Sequence, residues 1–359
     1  MSGMNGKPIK GRGAASNPEG RFETTRHEAF DDGWWREAED APRPATTVAE
    51  ETAREILSRN DSPDIPFEQS LNAYRGCEHG CVYCYARPSH GYLNLSSGLD
   101  FETKLFAKTN AAERLRAALA RPGYVPSPIN LGANTDLYQP IERHYRITRE
   151  VLEVLAETGH PCSIVTKSAL VERDLDLLAG MARRNLVFVA VSVTTLDNRL
   201  ASKLEPRANA PHRRLQAIAR LSAAGVPTGV FAAPIIPMIN DHELEAILER
   251  AREAGARTAG YTLVRLPHEV KDLFHEWLSL HFPERAAHVM SLIRQMRGGS
   301  DNDPRFFHRM RGEGPFADLI RARFQVARKR LGFASRDEIR LSAEAFVPPR
   351  PDSPQGELF

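Results

Sequence analysis

From Ile65 onward the chain alternates between short, nearly continuous apolar runs and longer segments with apolar residues at helical spacing. Val187-Phe-Val-Ala-Val-Ser-Val193 is apolar at almost every position, as a strand buried on both faces requires. The same pattern predicts strands at Phe67–Asn72, Ile129–Leu131, Ser163–Thr166, Leu186–Val193, Thr228–Ile236 and Thr258–Val264. Between them, apolar residues three and four apart predict helices over Ala111–Arg121, Thr148–Glu157, Leu175–Arg184, His212–Ala224 and Asp241–Ala254. Pro122-Gly123, Gly225 and Gly255 stop three of these helices. Six β-then-α units with right-handed crossovers leave an open doubly wound sheet or a barrel.

Two features favour the barrel. Polar residues gather just beyond the C-terminal ends of the strands: Asn134-Thr135-Asp136, Thr166-Lys167-Ser168, Ser192 to Asp197, Pro237 to Asp241, and Arg265. Barrel enzymes keep their chemistry at that end. No G-x-G-x-x-G turn follows the first strand, so a dinucleotide-binding sheet has no support. The expected fold is α/β, a partial (β/α)6 TIM-type barrel over residues 63–267.

The flanks read differently. Residues 1–62 are rich in Gly, Pro, Ser and charge, which predicts a mostly disordered, largely irregular arm. Within it, Ala49–Leu57 reads as a short amphipathic helix, and Trp34-Trp35 as an aromatic anchor for docking the arm or a partner. Residues 268–345 read as a helical extension, with helices at Val270–Leu280, Arg285–Arg297 and Phe316–Leu331, and 346–359 as a loose tail. The last helix is apolar along Phe316, Ile320, Phe324 and Leu331 and basic opposite, through Arg321, Arg323, Arg328, Lys329 and Arg330. That basic face is either a solvated surface or a phosphate-backbone contact.

Composition narrows the class without deciding it. The 359 residues are 42% hydrophobic and 26% charged, so a substantial core is available, and the net charge of +2 neither requires nor excludes nucleic acid. The best apolar run, Val226 to Ile239, is short and broken by Pro227, Pro234 and Pro237, too little for a membrane span. Without an apolar signal core at the N-terminus, and with three of four cysteines clustered, the expected setting is the reducing cytoplasm.

That cluster lies in Arg75-Gly-Cys-Glu-His-Gly-Cys-Val-Tyr-Cys-Tyr-Ala-Arg87. Cys77, Cys81 and Cys84 have the spacing C-x3-C-x2-C. Three thiolates do not complete a closed four-ligand zinc site. They suit a four-iron cluster in which three irons are held by Cys and the fourth stays open. The competing reading is a non-catalytic Cys-ligated zinc or iron–sulfur module used for structure or nucleic-acid binding.

The loop, with its aromatic Tyr83 before Cys84, resembles the signature of the radical SAM superfamily. Tyr74 to Pro88, Asn134-Thr-Asp-Leu-Tyr-Gln-Pro-Ile-Glu142, Val165-Thr-Lys-Ser168, Leu204-Glu-Pro206 and Ala233-Pro-Ile-Ile-Pro237 with Asn240-Asp241 resemble more closely the spore photoproduct lyase and DNA repair photolyase-like group. The resemblance implies a [4Fe-4S] cluster on Cys77, Cys81 and Cys84, whose open iron chelates S-adenosylmethionine. It implies reductive cleavage to a 5′-deoxyadenosyl radical that abstracts hydrogen from substrate. It further implies a one-electron donor of flavodoxin or ferredoxin type, and DNA or RNA as a candidate substrate. By the same resemblance Tyr83 contacts adenine, Asn134, Thr135 and Asp136 receive the methionine ammonium, and Lys167 and Ser192 reach its carboxylate. Tyr85 completes a Tyr83-Cys84-Tyr85 bracket that in the lyase serves hydrogen return, so it is the catalytic candidate. The lyase's donor cysteine has no counterpart, since Gly132-Ala133-Asn134 stands there. That departure speaks against thymine-dimer reversal and leaves the radical machinery intact.

Other residues weigh less. Cys162 opens an apolar strand and reads as a small buried hydrophobe. His79 lies between the cysteines, where ligation would close the site that must stay open. Glu205 and Arg265 are read either as ribose or substrate contacts or as members of ion pairs.

Overall fold

The computed structural model describes residues 7–22, 44–335 and 338–349. Strands are β1 (Thr47–Glu51), β2 (Leu57–Arg59), β3 (Gln69–Leu71), β4 (Tyr74–Arg75), β5 (Lys104–Lys108), β6 (Ile129–Leu131), β7 (Cys162–Thr166), β8 (Val187–Ser192), β9 (Thr228–Ile235) and β10 (Thr258–Leu263). Helices are α1 (Leu99–Thr103), α2 (Ala111–Leu119), α3 (Glu142–Tyr145), α4 (Ile147–Thr158), α5 (Leu175–Ala182), α6 (Asn198–Leu204), α7 (Pro211–Ala223), α8 (Leu244–Glu253), α9 (Val270–His281), α10 (Pro283–Met296) and α11 (Pro315–Arg330).

The main sheet runs β10-β9-β8-β7-β6-β3-β2. Its six strands from β3 to β10 are mutually parallel, and β2 caps one edge antiparallel to β3. These are the six strands expected of the partial barrel, in sequential order. Leu71, Ile129, Leu131, Ile164, Val189, Val191, Val230 and Ala232 share one face of it, all essentially inaccessible. Burying each branched side chain contributes about 1.5–3 kcal/mol, so the sheet is where the core's stability concentrates. Outside it, α8 buries Leu244, Ile247, Leu248 and Ala251, the i, i+3, i+4, i+7 stripe of a helix lying on a sheet.

A second, smaller sheet of order β1-β5-β4 supports the cysteine loop, which leaves directly from β4. Ala49–Leu57 is therefore not a helix. Thr47–Glu51 is a strand paired parallel with β5, and Leu57 begins the antiparallel edge strand β2. The neighbouring edges supply backbone partners that an isolated short helix would lack. Residues 7–22 form neither helix nor strand, yet they lie against the core, with Ala14 buried. Trp34-Trp35 and residues 350–359 fall outside the described residues.

The C-terminal helices dock on the barrel. Trp277 of α9 is buried against Phe274, with ring centroids 5.6 Å apart, and its Nε1 donates to the Lys203 carbonyl at 2.9 Å. The basic face of α11 lies partly against α8: Arg323 reaches Glu245 through two bonds of 2.8 and 2.6 Å, and Arg330 pairs with Glu249. No helix among the described residues is long and apolar enough to cross a membrane.

Candidate functional site

The loop from Gly76 to Arg87 is a chain of tight turns. Gly80 N–H bonds back to Cys77 O, Cys84 N–H to Cys81 O and Arg87 N–H to Cys84 O, and Cys77 N–H is held by Phe101 O at 2.9 Å. Gly76 and Gly80 have φ of +75° and +66°, the left-handed region in which a side chain is strained. A Cβ on Gly80 would also stand 2.7 Å from a Glu102 carboxylate oxygen. Arg87 fixes the loop's far end, buried, with bonds to the carbonyls of Cys81, Ser97 and Gly98 and a salt bridge to Glu102 at 2.5 Å. Cys77 packs with Ala86 and Phe101, and Cys84 lies against that group.

Burial, with the nearby Asp136 carboxylate and the other two thiols, pushes the Cys77 thiol well above its ordinary range. Burial likewise drives Cys81 up to about 12, against the pull of Lys167. A donor set of this kind becomes thiolate only when a cationic centre neutralises it, which fits an iron cluster. Among the described residues no three His, Cys, Asp or Glu side chains converge as ligands of one metal ion. A four-iron cluster does not ask for that, since each thiolate takes its own iron.

The strand ends close around the loop. Asp136 accepts from Thr166 Oγ1 at 2.7 Å, Lys167 N at 2.7 Å and Tyr138 N at 2.9 Å, and lies 3.4 Å from His79 Nδ1. Burial opposes its charge, but His79 and these donors prevail and hold its pKa down to about 2. Asp136 thus joins the loop to the ends of β6 and β7 and sets the backbone of Lys167. Lys167 Nζ stands 5.9 Å above the Tyr83 ring. Burial works against its ammonium, and Cys81 and Glu205 outweigh it, so the pKa is raised.

Tyr83 is buried, and its hydroxyl donates to Glu205 and lies 3.3 Å from Thr194 Oγ1. Glu205 also accepts from Thr194 at 2.6 Å and pairs with Arg214, whose Nη1 donates to the Ser192 carbonyl at 3.1 Å. Of the two readings of Glu205, the ion pair is the one observed. Burial would raise its pKa, but Arg214 and Lys167 bring it down to about 2. Ser192 is itself buried at the end of β8. Sequence reasoning missed Arg214 and Thr194; an Arg inside the apolar pattern of α7 was the available signal.

Thr135 is buried, its hydroxyl on Tyr74 O at 3.2 Å, whereas Asn134 is exposed at the mouth, its N–H on Asn72 Oδ1 at 2.8 Å. Tyr85 is 49% exposed, donates its hydroxyl to Ala133 O, and lies beneath the Arg265 guanidinium, 5.5 Å from ring centroid to Cζ. Cys162 is fully buried at the opposite, N-terminal end of β7, away from the loop. A groove of about 620 Å³ lined by Arg54, Arg114, Arg121 and Tyr124 lies on the outer flank beside β2 and α2, not at the mouth.

The profile of the Radical SAM superfamily matches residues 71–251, half of the chain, and takes in the cysteine loop and the four parallel strands β6 to β9. The chain belongs to the radical SAM superfamily. As a radical SAM protein its cofactors are a [4Fe-4S] cluster and S-adenosylmethionine. An uncharacterized protein of Mycobacterium tuberculosis is 37% identical over 233 residues, 64% of this chain and 68% of that relative. The Radical SAM Nalpha-GlyT isomerase of Pseudomonas phage M6 is 25% identical over 232 residues, 62% of this chain and 45% of the isomerase. Among solved structures, spore photoproduct lyase complexed with dinucleoside spore photoproduct is similar with a TM-score of 0.49 and 15% identity. That match covers 66% of each chain, just under two thirds of the lyase.

Proposed function

We propose that Cys77, Cys81 and Cys84 each hold one iron of the cluster, that the fourth iron is left for S-adenosylmethionine, and that the protein abstracts a hydrogen atom from a nucleic-acid substrate. When bound, the cluster and S-adenosylmethionine supply a 5′-deoxyadenosyl radical. The observation that carries the ligand assignment is the placement of three thiols, Cys77 and Cys81 buried and Cys84 partly exposed, on one rigid loop at the strand ends, beside a cationic Lys167. The substrate class rests on the loop's sequence resemblance.

The surrounding residues take these roles in the proposal. Lys167 offers a point charge to the methionine carboxylate, with Ser192 beside it. Tyr83 gives a ring for adenine, fixed by its bond to Glu205. Asn134 and Thr135 give acceptors for the methionine ammonium. Asp136 acts chiefly by positioning Lys167, because its two oxygens already hold the donors of β7 and Tyr138. Tyr85, adjoining Cys84, hands its hydroxyl hydrogen atom to the product radical and becomes a tyrosyl radical. We place this chemistry in the cytoplasm, with a flavodoxin- or ferredoxin-type protein delivering the electron.

Anaerobic reconstitution tests the reading. The expected result is a four-iron absorbance that is lost in Cys84→Ala, and 5′-deoxyadenosine released on reduction with S-adenosylmethionine. Stoichiometric zinc with no deoxyadenosine would sink it and favour the non-catalytic module.

A further inference from the structure

Arg265 stands two residues beyond the end of β10, at the mouth of the barrel, and no carboxylate among the described residues pairs with it. Its Nη1 has only the Met310 sulfur, at 3.6 Å, and its buried Nε has no partner. Two further arginines stand near it. Arg309 is held by Asp64 at 2.5 and 2.8 Å, and Arg297 is buried on the carbonyls of Leu263, Val264 and His308. Desolvation and then Arg309 both act against the charge on Arg265. A half-buried guanidinium next to other cations, with no acid of its own, is costly unless something anionic reaches it. The acids nearby are already engaged: Asp64 with Arg309, and Asp303 and Glu313 with Arg305.

The face around Arg265 is aromatic. Tyr85 lies under its guanidinium, Phe306 carries Arg309 above its ring at 4.8 Å, and Phe306 and Phe307 are 47% and 62% exposed. Phe307 has φ +65°, an uncommon conformation for a bulky residue, and its N–H is fixed by Asp64 at 3.0 Å. The backbone at Phe307 is thus fixed while its ring stays exposed. Leu263 N–H on Met310 O, at 3.0 Å, ties this segment to the end of β10.

We propose that Arg265 receives a phosphodiester of single-stranded nucleic acid, and that Phe306 and Phe307 are the platform on which a neighbouring base stacks. A guanidinium fork matches two phosphate oxygens, and every base offers a face to an aromatic ring. An acidic peptide would satisfy Arg265 but leave the two exposed rings without a role. The placement puts the bound strand beside Tyr85, next to Cys84. The inference rests on the proposed reaction only for its purpose, because binding is read without turnover.

The test uses the anaerobic holoprotein and a short fluorescein-labelled single-stranded DNA, followed by anisotropy across a salt series. Arg265→Gln is expected to weaken binding roughly tenfold or more and to lower the salt slope by about 0.7, with Arg265→Lys intermediate. Phe306→Ala, at a half-exposed position, is expected to weaken binding several-fold at unchanged slope. Unaltered affinity in both Arg265→Gln and Phe306→Ala overturns the proposal. So does a matching loss of S-adenosylmethionine affinity in Arg265→Gln, which would give Arg265 to that cofactor's carboxylate. Binding of polyglutamate, rather than DNA, that depends on Arg265 would overturn it in favour of a protein partner. Cluster content and deoxyadenosine formation in the wild type report separately on the proposed reaction.

Discussion

The Tyr83 hydroxyl donates to the Glu205 carboxylate, and through it the cysteine loop is joined to Arg214 of α7 and the end of β8. The two partners are not equivalent. Removing the hydroxyl in Tyr83→Phe leaves Glu205 still bonded to Thr194 and Arg214, at a cost of about 1.5–3 kcal/mol for one bond to a charged acceptor. Glu205→Gln leaves a buried guanidinium without its counter-charge, which costs about 3–5 kcal/mol. Urea unfolding of both variants should therefore rank Glu205→Gln as clearly the worse. Equal losses would mean that the ion pair does not carry the network.

Gly13 rests on the cysteine loop itself. A Cβ there would lie 1.8 Å from Gly80 O, between the first two cysteines, so Gly13→Ala must lift residues 7–22 from the loop. The bonds from Gly13 N and Ala14 N to Glu102, at 3.0 and 2.9 Å, go with it. Two bonds to a buried carboxylate are worth about 3 kcal/mol or more together, so opening of this segment should rise on the order of a hundredfold. Hydrogen exchange at Gly13 and Ala14 reads this directly. Faster loss of iron absorbance in air should accompany it. Unchanged exchange would show that the segment is held by other contacts.

The six parallel strands were legible because short, mostly apolar runs recur between segments of helical spacing, as in Val187–Ser192, where only the last residue is polar. Ile129–Leu131 came out with the same ends in sequence and structure. The small sheet was missed for the opposite reason. Lys104–Lys108 does alternate exposed and buried, but over only five residues, and its partner Thr47–Glu51 is half-exposed and lies far upstream. That stretch mimicked an amphipathic helix because its few apolar residues also fit helical spacing. Tertiary pairing then decided the matter.

The site divides similarly. Cys77, Cys81 and Cys84, Tyr83 and the strand-end positions were visible as residue types at spacings. The clamp formed by Glu102, Arg87 and the Gly13 backbone was not, since it joins residues up to 89 positions apart and no local pattern records it. Phe306 and Arg309 stand close together in the sequence, but only the fold brings them to the end of β10 near Arg265.

His160 offers a test away from the cysteine loop. It is fully buried, with Nδ1 3.0 Å from Pro161 O and Nε2 2.9 Å from Tyr124 OH, and burial lowers its pKa from 6.5 to about 4. The unfolded chain therefore binds the extra proton between those values and the native state does not. Its contribution is fully present above pH 6.5 and is lost as pH falls toward 4. Between pH 7.5 and 5.5 the loss should be about 1.3 kcal/mol. Urea midpoints across that range should flatten by this amount in His160→Gln relative to the wild type. Parallel pH dependences in the two proteins would show that His160 titrates normally.

The basic face of α11 gives the contrast to Arg265. Arg323 holds Glu245 through two bonds and also donates to Asp241 O at 2.9 Å, Arg330 pairs with Glu249, and Arg321 with Asp318 at 2.9 Å. Charges matched in this way add little to the field a phosphate would meet, and partly exposed pairs contribute only about 0–1 kcal/mol each. The double variant Arg323→Ala/Arg330→Ala should lose no more than about 2 kcal/mol of stability, with α11 held less firmly to α8. Its affinity for single-stranded DNA and its salt slope should match the wild type, whereas Arg265→Gln alters both. A slope that fell by about 0.7 per arginine removed would instead make this helix the phosphate-contacting surface. Measuring the two variants under one salt series decides whether nucleic acid meets the protein at the barrel mouth or on its outer helix.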